Sequence, residues 1–227
     1  MDPSPVSADH SYFSILVATK KKSGGTRPIA MGECFYKLAC LYALSLVRPD
    51  IPPLLEPIQF ALSPGGSESA VHVLQAAVEL HPDWIILAAD LTNAFNSRSR
   101  PQVLEALFGE EDLSPLWRLV NWSYGAASPL LVMDRGRVLS ILESCEGVKQ
   151  GDVLASLLFA LSMKRIYAAS IVGLNCFALA VMDDIYFIGP PTDTFKAFKL
   201  FSSSLPGTDL LLNFQSLLLF FHHKIRS

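Results

Sequence analysis

Short, continuously apolar runs alternate along this chain with segments whose apolar positions recur at helical spacing. Residues 84–89 are apolar throughout and few, which predicts a strand buried on both faces. Residues 177–182 and 185–188 predict two further short strands joined tightly at Asp183-Asp184. Residues 12–19 alternate as a strand does, and 20–26 form a basic, Gly-containing turn. Residues 130–133 and 138–142 flank Asp134-Arg135-Gly136-Arg137 as a β-hairpin. Helical spacing runs through 34–47 and through 68–80, the latter behind Ser67 as a cap. Pro52 and Pro53 predict irregular chain between those helices. Further helices are expected from Ser99 or Arg100 to Leu107, from Ser114-Pro115 onward, and over 153–169 and 195–201; residues 210–213 are a candidate last strand. Residues 1–11 are expected to be disordered. This irregular alternation of helices and strands predicts an α+β layer fold without internal repeats.

Composition narrows the picture. Hydrophobic residues make up 51% of the 227 and charged residues 17%, the balance of a compact globular protein. A net charge of −3 argues against an independent grip on a long duplex, which needs a basic face. Positive charge gathers instead at Lys20, Lys21, Lys22 and Arg27, enough to hold phosphate locally. Cys34, Cys40, Cys145 and Cys176 show no C-x-x-C spacing and read as reduced packing residues. The polar residues 1–11 lack the apolar core of a signal peptide, and the apolar stretches 154–163 and 176–182 are too short to cross a bilayer. A soluble, intracellular protein with no membrane partner is expected.

The candidate chemistry lies where the apolar runs end. Asp90 follows the first run, and Asp183 and Asp184 sit in the tight turn between the later two. Carboxylates there are costly unless something positive lies between them. Two divalent cations held by hard oxygen ligands, gripping a polyphosphate, would satisfy that demand. The competing reading is ordinary: Asp is common at strand ends, exposed in loops.

Several ordered segments resemble the reverse-transcriptase domain of non-LTR retrotransposons. Gly24-Gly25-Thr26-Arg27-Pro28-Ile29 resembles that family's fingers segment, where a basic residue contacts nucleotide phosphates. Gln59-Phe60 followed by Gly65-Gly66-Ser67-Glu68 resembles the block ahead of the palm. Asp90 with Phe95 resembles the first palm motif, and Gly147-Val148-Lys149-Gln150-Gly151-Asp152 the segment that positions nucleotide and template. Met182-Asp183-Asp184 resembles the metal-binding hairpin. There are departures. Val181 stands where the family places an aromatic residue, Val153 and Ala155 where it has proline and glycine. Phe214, Gln215 and Ser216 follow Asn213 where it has a lysine, and the first cation downstream is Lys224.

The resemblance implies an α+β right-hand polymerase with fingers and palm, an antiparallel palm sheet packed on helices, and the thumb absent. It divides the chain into a fingers-like segment at 12–83, a palm with interleaved helices at 84–216, and a non-homologous or truncated tail at 217–227. It implies an RNA-directed DNA polymerase. Asp90, Asp183 and Asp184 would be catalytic and hold two Mg²⁺ or Mn²⁺ ions. Arg27, Phe95, Gln150 and Gly151 would contact the nucleotide. The implied partners are an RNA template, a DNA primer and a dNTP, with self-association through the surface that would face a thumb; the implied location is the nucleus for an active retroelement product. Each residue keeps a plainer reading beside this one: Arg27 as a surface turn residue, Phe95 as core, Gln150-Gly151-Asp152 as a helix start capped by Asp152. The alternative for the whole chain is a catalytically inactive remnant or interaction module. A nucleotide cyclase on a palm is a third, weaker reading, since it needs no fingers-like block.

Overall fold

The computed structural model describes residues 12–20, 24–206, 208–213 and 217–221. The expected disorder of residues 1–11 and the side chains of Lys21 and Lys22 lie outside them. In chain order the elements are β1 (Ser14–Lys20), β2 (Thr26–Gly32), α1 (Cys34–Val47), α2 (Ile51–Leu55), α3 (Gly66–Leu80), β3 (Ile85–Ala89) and β4 (Leu91–Thr92). There follow α4 (Ala94–Ser97), α5 (Arg100–Phe108), a 3-10 turn, α6 (Ser114–Tyr124), β5 (Ser128–Asp134), β6 (Arg137–Ser144) and α7 (Ala155–Ser170). The last are β7 (Phe177–Val181), β8 (Asp184–Gly189), α8 (Pro191–Ser204), β9 (Leu211–Leu212) and β10 (Leu218–Phe221). The α+β class expected from the sequence is what the chain adopts.

Two compact units emerge from the contacts, and each is discontinuous in sequence. One combines Met1–Asp50 with Phe95–Phe159, the other Ile51–Ala94 with Ala160–Ser227. The first contains a four-stranded sheet in the order β2-β1-β5-β6. Two antiparallel hairpins, β1/β2 and β5/β6, are joined by a parallel pairing of β1 with β5. Pro28 lies in edge strand β2, where its missing N–H costs little. Helices α5 and α6 pack together, and Val103, Leu107, Leu116 and Val120 on them do not reach solvent. Tyr12, Tyr36 and Trp122 form an aromatic cluster with ring centres 4.3–5.9 Å apart.

The second unit is built on an antiparallel sheet in the order β10-β3-β8-β7. Central strand β3 is buried at all five positions, as its unbroken apolar run requires. Residues alternate between the faces. Ile86 and Ile188 pack against Ala70 and Ala77 of α3, while the Phe187 ring meets Phe201 of α8 at 5.6 Å. Full burial of each such side chain contributes roughly 1.5–3 kcal/mol. A pair of two-residue strands, β4 and β9, extends the chain beyond β3.

Some local expectations needed correction. Pro52 and Pro53 lie inside the short helix α2, not in irregular chain; in a first turn their missing N–H groups would have no intrahelical partner anyway. Helix α3 starts at Gly66 with Gly65 before it, ahead of the expected cap Ser67. All four cysteines are free as expected, yet Cys34 and Cys145 are exposed, not packed. No element was expected at residues 218–221, which form a strand paired with β3. Among the described residues no helix is long and apolar enough to cross a membrane.

Candidate active site

The register of β3 against β8 sets Ala89 opposite Ile185. In an antiparallel pair the next residue of one strand faces the preceding residue of the other. Asp90 and Asp184 therefore meet at the same end of the sheet. Both line a cavity of about 270 Å³ whose walls include Tyr186, Leu218 and Phe220. Asp183 occupies the two-residue turn between β7 and β8, which closes with Val181 opposite Asp184. Strand pairing thus gathers Asp90 with Asp184, two carboxylates far apart in sequence, next to the turn residue Asp183.

Their charges interact. The Asp184 carboxyl titrates above the ordinary carboxylate range because burial disfavours its charged form, and the Asp183 and Asp90 charges add to the effect. Burial and Asp184 likewise raise Tyr186. Asp90 is held from below by Asn213, whose Nδ2 donates to Asp90 Oδ2 at 3.0 Å and whose backbone N–H donates to the Asp90 carbonyl at 2.9 Å. The β4–β9 pairing supplies that contact.

Among the described residues, no three His, Cys, Asp or Glu side chains form a ready cage for an ion. Asp90 and Asp184 instead form an open, oxygen-only set beside the charge of Asp183. Hard oxygen donors with excess negative charge fit Mg²⁺ or Mn²⁺, ions that keep several non-protein ligands.

The other singled-out residues belong to the first unit. Arg27 is exposed in strand β2, not in a surface turn, and its carbonyl accepts from Thr19 Oγ1 at 3.1 Å. Gly151, at φ +101°, lies so close to β2 that a Cβ would come within 2.8 Å of Ile29 Cγ2 and 2.9 Å of the Ala30 carbonyl oxygen. The neighbouring Gln150 carbonyl accepts from the Ala30 N–H at 2.7 Å. What Gly151 admits is therefore the β2 backbone. The Gln150 Oε1 is buried without a hydrogen-bond partner, an unused acceptor. Asp152 accepts from the Leu154 N–H at 2.8 Å in the turn just before α7, and it also accepts from the Tyr36 hydroxyl at 2.8 Å.

Phe95 is half-buried, its ring stacked on Phe159 at 4.6 Å and 14°. Its carbonyl accepts from the Val148 N–H at 2.7 Å, tying it to the segment that carries Gln150 and Gly151. A Cβ on Gly147, at φ +63°, would overlap the Asn96 carbonyl at 2.2 Å. Arg100 completes this frame: its buried guanidinium donates to the carbonyls of Gly147, Ser144 and Ala126 and to Ser144 Oγ.

Sequence reasoning missed the structural parts of Arg100, Lys149 and Gln59. Each is a polar residue fully buried in the fold. A lone Gln in the apolar stretch Ile58-Gln59-Phe60 was the visible signal.

Comparison with known proteins identifies the family. A trypanosome protein, the retrotransposable element SLACS 132 kDa protein of Trypanosoma brucei gambiense, is 33% identical over 150 residues; the match takes in 64% of this chain and 12% of that protein's length. Apo telomerase from Candida tropicalis, truncated from its C-terminal domain, superposes with a TM-score of 0.69 at 15% identity, covering 92% of this chain and 50% of that one. Telomerase from Candida albicans in complex with a TWJ fragment of telomeric RNA gives 0.67 at 11% identity, covering 96% and 43%. These two likenesses concern the fold. Residues 19–198 match the family model for reverse transcriptase (RNA-dependent DNA polymerase), and the chain, with its sheet-end carboxylates inside that span, is a member of the reverse transcriptase family.

Proposed function

We propose that this chain is the polymerase segment of a non-LTR retrotransposon product and adds deoxynucleotides to a primer 3′-hydroxyl on an RNA template. The observation that carries this reading is the β3–β8 register, which puts Asp90 and Asp184 into one cavity with the charge of Asp183 beside them. In this reading Asp90 and Asp183 are the principal ligands of two divalent ions and Asp184 assists. Bound there, such ions would lower the pKa of the attacking hydroxyl and neutralise the departing pyrophosphate.

The protein's own part is positional. Asn213 fixes the Asp90 carboxylate through its 3.0 Å hydrogen bond. Arg27 offers a planar guanidinium to phosphate oxygens. Phe95, stiffened by its stack on Phe159, stands against a ribose 2′-hydroxyl, and Gln150 with Gly151 shapes the nucleotide pocket. The partners are RNA template, DNA primer and dNTP, and a retroelement product of this kind works in the nucleus.

The test is primer extension by the purified chain on annealed poly(rA)–oligo(dT) with Mg²⁺ or Mn²⁺. Extension that Asp183→Asn abolishes supports the reading. Ribonucleotide incorporation by Phe95→Val, absent in the parent, supports the gate. No extension at any metal or protein concentration makes the chain an inactive remnant.

A further inference from the structure

The turn that carries Asp183 has an unusual first residue. Met182 has φ +60°, the left-handed region that glycine normally serves at the first position of a tight hairpin turn. A side chain there costs on the order of 1 kcal/mol or more, and the conformation persists only where the surroundings over-determine it. Gln59 supplies that constraint. Its side chain is 1% exposed. Its Oε1 accepts from the Met182 N–H at 2.9 Å, and its Nε2 donates to the Met182 carbonyl at 3.0 Å. One amide thus engages both backbone polar groups of one turn residue.

The clamp is itself anchored. The Phe60 N–H donates to the Ala180 carbonyl at 2.9 Å, and the Ala180 N–H donates to the Ile58 carbonyl at 2.6 Å, so residues 58–60 run alongside β7. Gln59 Oε1 also accepts from the Ala61 N–H at 3.2 Å, which fixes the amide's orientation. The Tyr167 hydroxyl donates weakly to the Met182 carbonyl at 3.5 Å, from inside the unit. Gln59 touches no carboxylate oxygen in any of these contacts. Its influence on Asp183 and Asp184 runs through the backbone of the residue before them.

We propose that Gln59 is a positioning residue that sets the Asp183 and Asp184 carboxylates for divalent-cation binding by clamping Met182; this rests on the reading of those acids as ligands. Groups that orient metal ligands from behind change affinity by about ten- to a hundredfold when removed. Gln59→Met keeps the volume and removes both hydrogen bonds to Met182, together with the one from the Ala61 N–H. Gln59→Glu keeps an acceptor for the Met182 N–H but turns an oxygen toward the Met182 carbonyl, and it serves if the first variant does not fold. Ala77→Gly in α3 lowers stability in the same unit without touching the turn.

The experiment is Mn²⁺ binding to the full chain, followed by electron paramagnetic resonance, with amide hydrogen exchange on the same samples. Expected is an affinity loss of about tenfold or more in either Gln59 variant, with Ala77→Gly unchanged. Mn²⁺ affinity within about twofold of wild type in a folded Gln59 variant overturns the proposal. If the wild-type chain binds no Mn²⁺, the ligand reading of the acids fails instead, and the clamp is judged on exchange alone. Acceleration of the Met182 amide in Gln59→Met by about tenfold beyond any change at Ile188 then upholds it, and equal changes at both overturn it.

Discussion

Lys149 Nζ stands 4.3 Å above the ring centre of Tyr12, buried and without a hydrogen-bond partner. The Tyr124 ring lies 5.2 Å away on another side, and the Tyr124 hydroxyl accepts from the Lys149 backbone N–H at 3.3 Å. An ammonium held by two aromatic faces keeps part of its lost hydration. The rest of the cost appears in its acidity. Burial pushes the Lys149 pKa from the ordinary 10.5 down to about 8, the Arg100 charge adds to the push, and Asp152 opposes it.

The sign of the pH dependence follows. Between about 8 and 10.5 the unfolded chain binds more protons at this position than the folded chain, so its contribution to stability rises with pH across that window. Below it the caged charge is a standing penalty. Lys149→Met, which removes the charge and keeps the bulk, should be more stable than wild type at pH 7, and its advantage should shrink as pH rises toward 10.5. Urea unfolding at a series of pH values measures this. A pH-independent difference would contradict it.

Arg100→Lys should destabilise the chain by about 2–3 kcal/mol. The lysine cannot reproduce the fork that reaches Gly147, Ser144 and Ala126, and it leaves buried carbonyls unpaired. Urea unfolding reads the loss. A change below about 0.5 kcal/mol would mean the fork is replaceable.

Gly147→Ala should cost more than about 2 kcal/mol, since it combines a positive φ with an overlap against backbone. Asn96 cannot give way without moving Phe95, which is next to it. Thermal melting of the variant tests the stability effect, and the Phe95–Phe159 stack should loosen at the same time.

Divalent ions should raise the melting temperature. The acids repel one another without a cation, so Mn²⁺ at about a hundred times its dissociation constant should add about 2.7 kcal/mol. Asp90→Asn should blunt the gain, and Na⁺ at matched ionic strength separates ligation from screening. An equal gain in wild type and variant would place the ion elsewhere.

How far the sequence could be read depends on the range of the forces involved. The β7–β8 hairpin and the burial of β3 were visible because local apolar runs and a two-residue turn specify them. The β5–β6 hairpin was equally plain from Asp134-Arg135-Gly136-Arg137. Strand β2 was not seen, because Pro28 and its mostly exposed residues carry no alternation. The pairing of β1 with β5 and of β3 with β10 was beyond reach, since each depends on contacts across long stretches of chain. The grouping of residues 51–94 with 160–227 has the same cause. Among the candidate site residues, the placing of Asp90, Asp183 and Asp184 at strand ends was legible from the apolar runs before them. Gln59 was noticed only as part of a block, since nothing local links it to Met182.

The parallel join of Ser14 to Leu130 has a consequence for synthesis. Ribosomal output is sequential, so β1 and β2 emerge as a lone two-stranded ribbon, marginal in water, and wait for a partner encoded far downstream. During that interval the open flank of β1 is an adhesive surface in need of chaperone cover. A nascent chain interrupted before Leu130 leaves that flank permanently bare and becomes material for proteolysis or clumping.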